Sequence, residues 1–272
     1  MSNLLRKPKC RTLSPGVTLF QDINSSNAPV EYVGLKQLKM KKGSVYQEEL
    51  EKEEVCIVAL TGKITVTDYD QIFENIGRRE NIFDRTPTDS VYISNDRRFK
   101  ITAISNAKVI LCYAPSKKQL PTKLIKASEN SIESRGKYAN KRYVQNILTD
   151  TDSTANSLLV VEVYTEGGNW SSYPPHKHDR DNLPEESFLE EIYYHEMNPK
   201  QGFVFQRVYT DDRSIDETMT VENEEAVLVP KGYHPVAVPD GYTSYYLNVM
   251  AGPIKIWKFY NEPAHEWILN RK

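Results

Sequence analysis

The chain reads as all-β, and three observations predict it. Short segments rich in valine, isoleucine and tyrosine recur between clusters of Gly, Pro, Asn and Asp. Apolar residues spaced three and four apart, the mark of an amphipathic helix, are scarce. Tyrosine, a strand former, supplies 17 of the 272 residues. Barrels or sandwiches are the architectures such a chain can close.

Residues 1–30 read as an irregular lead-in, punctuated by Pro8, Ser14-Pro15-Gly16 and the turn material of residues 24–29. Strands are predicted over residues 32–40, 54–60 and 63–67, the last two joined through Thr61-Gly62 as a hairpin. Residues 73–84 are charged and less regular, as a loop over one mouth would be. Strands over 90–94, 100–104 and 107–114 complete a first β-unit near Pro115. The polar and basic stretch 116–140 then reads as a linker. A second β-unit follows, with strands over 143–148, 157–164, 189–195, 202–209, 225–229 and 242–250, and a turn at Asp211-Asp212-Arg213. Two units of similar length suggest a duplicated barrel, although no repeat is visible in the residues themselves. His265 falls in a short terminal helix begun near Pro263, where a surface or interface role is expected.

Composition narrows the function. A net charge of −2 and a pI near 6.3 give no electrostatic reason to bind nucleic acid or an anionic membrane. No run reaches the ~20 apolar residues of a membrane span, and the opening residues lack the apolar core of a secretory signal, so a cytoplasmic protein acting on small molecules is expected. Cys10, Cys56 and Cys112 are an odd number without metal-type spacing; free thiols are expected, the last two buried in apolar strands.

The chemistry gathers late in the chain. All five histidines, at 176, 178, 195, 234 and 265, follow residue 175. In an extended segment His176 and His178 point to one face, and two neutral imidazoles leave a metal open positions for further ligands. Such pairs also occur on solvated loops, so the neighbours matter. After a polar insertion, in which Glu185 and Glu186 are expected to be solvated, comes a β-run where Glu191, Tyr193 and His195 share one face and Glu190 takes the other. Farther on, an apolar strand and a Pro-x-Gly turn deliver His234. Arg207 sits in an apolar strand, where an unpaired charge is costly, so it needs either a fixed acidic neighbour or an anionic ligand.

Two histidines on one strand, a glutamate on the next and a histidine after a Pro-x-Gly turn form the pattern of the cupin barrel. Five blocks carry a closer likeness: residues 169–179 (NWSSYPPHKHD), 189–195 (LEEIYYH), 202–213 (GFVFQRVYTDDR), 227–236 (VLVPKGYHPV) and 245–253 (YYLNVMAGP). In these blocks the chain resembles the 5-deoxy-glucuronate isomerase family of bacterial inositol catabolism, a bicupin family related to the uronate ketol-isomerases of pectin breakdown. The first half matches only in size and β character, and its lack of histidine fits a family with metal in the second barrel alone. The resemblance implies two jelly-roll-like cupin domains: 1–135, without metal ligands and ending in the polar linker, and 136–272, which binds metal. It implies one divalent ion, zinc, manganese or iron, on His176, His178, Glu191 and His234. A generic cupin has its glutamate a few residues after the second histidine; here the insertion intervenes, so Glu190 and Glu191 compete. Glu191 is preferred because it directly precedes the Ile-Tyr run, with Glu190 on the opposite face.

The implied reaction converts 5-deoxy-D-glucuronate to 5-dehydro-2-deoxy-D-gluconate, an aldose-to-ketose step. A metal would stabilise the developing enediolate. For the proton shuttle the sequence offers Glu191, Tyr193, His195 and Tyr246 without a choice among them. For the substrate's carboxylate it offers Arg207, Arg213 and Lys231. A cupin dioxygenase, which would consume oxygen with ferrous iron, and a non-enzymatic sugar-binding cupin are the rival classes. Exposed barrel edges and the family relation lead us to expect a homo-oligomer.

Overall fold

The structure is a computed structural model and describes residues 3–69 and 71–272. The described residues form two β-barrels, each pairing a seven-stranded antiparallel sheet with a four-stranded one. The large sheet of the first barrel runs Lys123–Ile125, Ser90–Ile93, Glu53–Thr61, Ala107–Pro115, Gly34–Met40, Val17–Ile23, Arg11–Ser14. That of the second runs Leu5–Arg6, Ala226–Val229, Glu190–Asn198, Thr243–Ala251, Leu159–Glu166, Arg142–Leu148, Ser131–Arg135. In the six positions after the first-named edge strand, the strands enter the two sheets in the same chain order, so the second barrel repeats the winding of the first.

The edges are exchanged. The strand that precedes each barrel's own strands lies on the other barrel's sheet: Leu5–Arg6 pairs with Ala226–Val229, and Lys123–Ile125 pairs with Ser90–Ile93.

Burial explains the residue patterns. Val17–Ile23 alternates buried and half-buried residues, as a strand with one face on a core must. Glu53–Thr61 and Glu190–Asn198 are buried almost throughout, because each lies between a barrel interior and the joint between barrels. Ile57, Phe99, Ile101 and Leu111 help fill the first barrel. On the other face of its sheet, Cys56, Val58 and Cys112 join Ile192, Leu228 and Leu247 of the second sheet in one apolar cluster. Cys56 and Cys112 are buried free thiols and Cys10 is an exposed one.

Polar groups buried at the joint are paired. Glu54 accepts hydrogen bonds from the backbone N–H groups of Asn156, Ser157 and Leu158 and from the Tyr92 hydroxyl, at 2.6–2.8 Å. The Arg79 guanidinium, fully buried, forms an ion pair with the equally buried Glu162 and donates to the Tyr164 hydroxyl. Such pairing offsets the desolvation that a lone buried charge would suffer.

Several sequence-based expectations need correction. The lead-in contains three strands, among them Val17–Ile23. Residues expected to loop over a mouth form the strand Gln71–Ile76 and a 3-10 turn at Ile82–Asp84. The linker holds Lys123–Ile125 and Ser131–Arg135, the latter a strand of the second sheet. The predicted hairpin at Thr61-Gly62 is a corner: Glu53–Thr61 pairs with Ala107–Pro115 and Ser90–Ile93, whereas Ile64–Asp68 pairs in the small sheet with Arg98–Ala103 and Gln71–Ile76. Gly62 makes that corner possible with φ of +77° and a backbone so close to the Asn106 carbonyl that a Cβ would sit 2.2 Å from its oxygen.

Candidate metal centre

The second barrel's interior differs from the first in being polar on one wall. Neighbouring strands of the large sheet each send alternate residues inward: Arg142 and Val144, Val161 and Val163, Glu191 and Tyr193, Tyr246 and Asn248. They line a cleft of about 390 Å³, counting the space at its open mouth, together with Ser172, His176, Arg135 and Trp257.

Three residues converge in it. One ligand atom each from His178, Glu191 and His234 lies within 4.8 Å of the others, and all three residues are buried. Glu191 Oε1 is 2.7 Å from His178 Nε2, and Oε2 is 3.5 Å from His234 Nε2. The other ring nitrogens face backbone: His178 Nδ1 is 2.8 Å from the Leu189 carbonyl and His234 Nδ1 is 2.9 Å from that of Gly232. Carbonyls only accept, so they fix the proton on Nδ1 and leave each Nε2 lone pair free to ligate. Gly232 has a further duty. Its φ of +95° and its approach to the Tyr209 carbonyl, 2.5 Å from where a Cβ would lie, exclude a side chain from the turn that aims His234 inward.

The electrostatics suit a cation. Burial would raise the Glu191 carboxyl, but the His234 and His178 imidazoles outweigh it and hold the group well below the usual carboxylate range. Burial lowers His234, only partly opposed by Glu191, whereas at His178 burial is outweighed by Glu191 and the backbone hydrogen bonds acting together, and the group is raised. His234 Nε2 is buried without a hydrogen-bond partner, as suits an atom whose lone pair serves a metal ion. Two imidazoles and a carboxylate are a donor set that zinc, manganese and iron accept.

His176 stands beside this group. Its ring centroid is 5.1 Å from that of His234 and 4.6 Å from that of Phe259, and its Nδ1 is 3.3 Å from the Pro174 carbonyl. Glu190 lies on the opposite face of its strand, where its carboxylate accepts from the N–H groups of Glu31 and Tyr32 at 2.7 and 2.6 Å. Tyr193 and Tyr246 face the cleft, their hydroxyls 3.0 Å from Ser172 Oγ and 2.6 Å from Ser171 Oγ. Burial pushes both phenols up, so both keep their protons at neutral pH. His195 sits behind Tyr193, stacked on it and bonded through Nε2 to Gln206 at 3.0 Å.

Other expected residues lie elsewhere. Arg207 is 42% exposed and grips Asp216 with two hydrogen bonds of 2.8 Å, because its strand, Phe203–Tyr209, is half solvated and turns this position outward. Of the two partners foreseen for it, it has the fixed acid. Arg213 and Lys231 are exposed, Arg213 reaching towards Glu262 at 3.8 Å. Glu186 is the reverse case: expected in solvent, it is buried in the hairpin of Asp179–Asn182 and Glu186–Phe188, 3.3 Å from Nζ of the buried Lys177. His265, in the 3-10 helix Pro263–Asn270, is 44% exposed beside Glu262.

A profile of the KduI/IolB family matches residues 4–268. The chain belongs to the KduI/IolB family. Curated KduI/IolB relatives include the 5-deoxy-glucuronate isomerases of Bacillus subtilis (strain 168), 71% identical, and of Listeria monocytogenes serotype 4a, 65% identical, each with 100% of both chains covered. Among solved structures, an IolB-like protein from Salmonella typhimurium LT2 superposes with a TM-score of 0.93 at 47% identity, covering 98% of this chain and 99% of that one. The oxalate decarboxylase of Bacillus subtilis shares the bicupin fold alone, with a TM-score of 0.69 at 15% identity over 96% of this chain and 78% of that one. In this KduI/IolB chain the sequence pattern missed Arg135, Arg142, Ser172, Asn248 and Trp257 as cleft residues. Asn248 had a signal: it is the polar residue in the run 245–251, in the alternation Tyr246, Asn248, Met250.

Proposed function

We propose that the chain is the 5-deoxy-glucuronate isomerase of inositol breakdown, converting 5-deoxy-D-glucuronate to 5-dehydro-2-deoxy-D-gluconate. The full-length identity of 71% to isomerases of that name supports this reading most strongly. His178, Glu191 and His234 would hold one divalent ion, with His176 beside them as the fourth ligand. Bound there, the ion supplies a Lewis acid for the carbonyl and neighbouring hydroxyl of the open-chain sugar.

The chain's own groups handle the protons. Tyr193 and Tyr246, protonated and held by Ser172 and Ser171, donate hydrogen bonds to the two substrate oxygens as negative charge shifts between them. Among the described residues that line the cleft Glu191 is the one carboxylate; with its hold on the ion loosened, it can take the proton leaving C2 and return it to C1. His195 keeps Tyr193 in place from behind. The barrels divide the work in this reading: the first supports and the second reacts, with the boundary expected after residue 135 moved ahead of Ser131, because Ser131–Arg135 is a strand of the second sheet and Arg135 lines the cleft. We place the enzyme in the cytoplasm as a homo-oligomer, for which exposed Ile254, Phe259, Trp267 and Leu269 supply apolar surface.

The test is incubation with 5-deoxy-glucuronate under nitrogen, in the presence of zinc, manganese or ferrous iron in turn. Formation of the keto acid without oxygen uptake is expected; a fully metallated sample that gives no product overturns the assignment.

A further inference from the structure

One cation in the cleft has no acid to answer it. Arg142 opens the strand Arg142–Leu148, and its guanidinium makes a single hydrogen bond, from Nη1 to the Asn140 carbonyl at 3.1 Å. Among the described residues no carboxylate oxygen lies within 4.0 Å of it. The other arginine on the wall, Arg135, is already engaged: it pairs with Glu133 at 2.9 and 3.1 Å and lies over the Trp257 ring at 5.4 Å. Arg79 and Arg207 likewise have Glu162 and Asp216. Arg142 therefore carries a forked donor, partly withdrawn from water, on the wall of the cleft that His176, Tyr193 and Tyr246 also line. Burial depresses its charge, and Arg135 repels it. A planar anion with two acceptor oxygens relieves both effects, and a carboxylate matches the fork.

We propose that Arg142 binds the carboxylate of the sugar acid and so sets the enzyme's preference for acids over neutral sugars, with Arg135 at the rim adding attraction. The inference rests on the isomerase reading, which gives the substrate a carboxylate at the end opposite its aldehyde. With the aldehyde end at His178, Glu191 and His234, the chain of the sugar spans the cleft and its far end meets Arg142. Arg142 touches no reacting atom, so its contribution is to binding.

Kinetics on Arg142→Met, Arg142→Gln and Arg142→Lys test it, with metal content and circular dichroism as checks that the barrel is intact. For 5-deoxy-glucuronate the methionine and glutamine variants should raise KM about 100-fold with kcat within a few-fold, and lysine should restore part of the loss. For the uncharged 6-carboxamide of the same sugar, wild type and variants should show equal kcat/KM. An unchanged KM for the acid, or equal losses on acid and amide, overturns the proposal. Calorimetric titration with 5-deoxy-glucuronate separates this from the isomerase reading. A wild type that binds the acid without turning it over, beside an Arg142→Met that does not bind, sinks the isomerase assignment and keeps the subsite. A wild type and an Arg142→Met that bind alike, or a wild type that binds nothing, sinks the subsite.

Discussion

Asn248 donates a hydrogen bond of 3.1 Å to Glu191 Oε2, the oxygen that faces His234. Glu191 is thus held from two sides before any ion arrives. Removing His234 takes away a ligand outright, so His234→Ala should lose bound metal and turnover together, whereas His265→Ala, out on the terminal helix, should keep both. Asn248→Ala should fall between, losing roughly 10- to 100-fold in metal affinity or activity; metal analysis beside turnover reads all three, and a metal-replete, active His234→Ala protein contradicts the site. His195 gives the pH dependence. Burial, only partly offset by Gln206, pulls its pKa from 6.5 to about 4. The unfolded chain therefore takes up a proton near pH 6.5 that the folded one refuses until about pH 4, so this contribution to stability is complete above pH 6.5 and drains away as pH falls to 4. The loss is roughly 3 kcal/mol at most. Urea midpoints at pH 7 and pH 5 should differ less for His195→Gln than for wild type. His178, Glu191 and His234, which the structure brings together, stood out in the sequence because imidazoles are few and their spacing is chemically loaded. Arg142 was not, since nothing in a sequence says which of many arginines lacks a carboxylate neighbour.

At the scale of elements, Glu54 shows how one side chain can fix a connection. It begins the strand interior at Glu53–Thr61, yet its carboxylate collects three successive backbone N–H groups at Asn156, Ser157 and Leu158, where the chain enters Leu159–Glu166. Glu54→Ala would leave those donors and the Tyr92 hydroxyl unsatisfied in a dry site, at about 1–3 kcal/mol for each group that water cannot reach. A drop of several kcal/mol in unfolding free energy is expected, with Glu54→Gln recovering part of it; an unchanged denaturation midpoint contradicts this account. Strand existence was readable where apolar runs are long, as at Glu53–Thr61 and Thr243–Ala251. Pairing was not. Thr61-Gly62 has the residues of a hairpin turn, but a Gly at positive φ serves a corner equally well, and only the close approach of Asn106 decides between them. Short polar edge strands such as Gln71–Ile76 carry too little burial to leave a pattern.

For the whole molecule, the repeat is written in winding order rather than in residues. Both barrels share the winding of their large sheets, but their inward positions differ: Ile57, Phe99, Ile101 and Leu111 help fill the first, whereas Arg142, Glu191, Tyr193, Tyr246 and Asn248 line the cleft of the second. That is why the duplication showed in the sequence only as two units of similar length. The joint between them was invisible there, because Arg79 and Glu162 are 83 positions apart and each looks like any charged residue. In the structure that ion pair, the Glu54 carboxylate and the shared apolar cluster tie the two barrels together.

The crossed edges carry a practical consequence. Lys117, Lys118 and Gln119 are exposed, and they separate everything before Pro115 from the strand at Lys123–Ile125. Nicked there, each piece would begin with the ribbon that finishes its counterpart and would end short of its own. Co-expressed as two polypeptides, the pieces should find one another and restore turnover, while either piece alone should collect in the insoluble fraction.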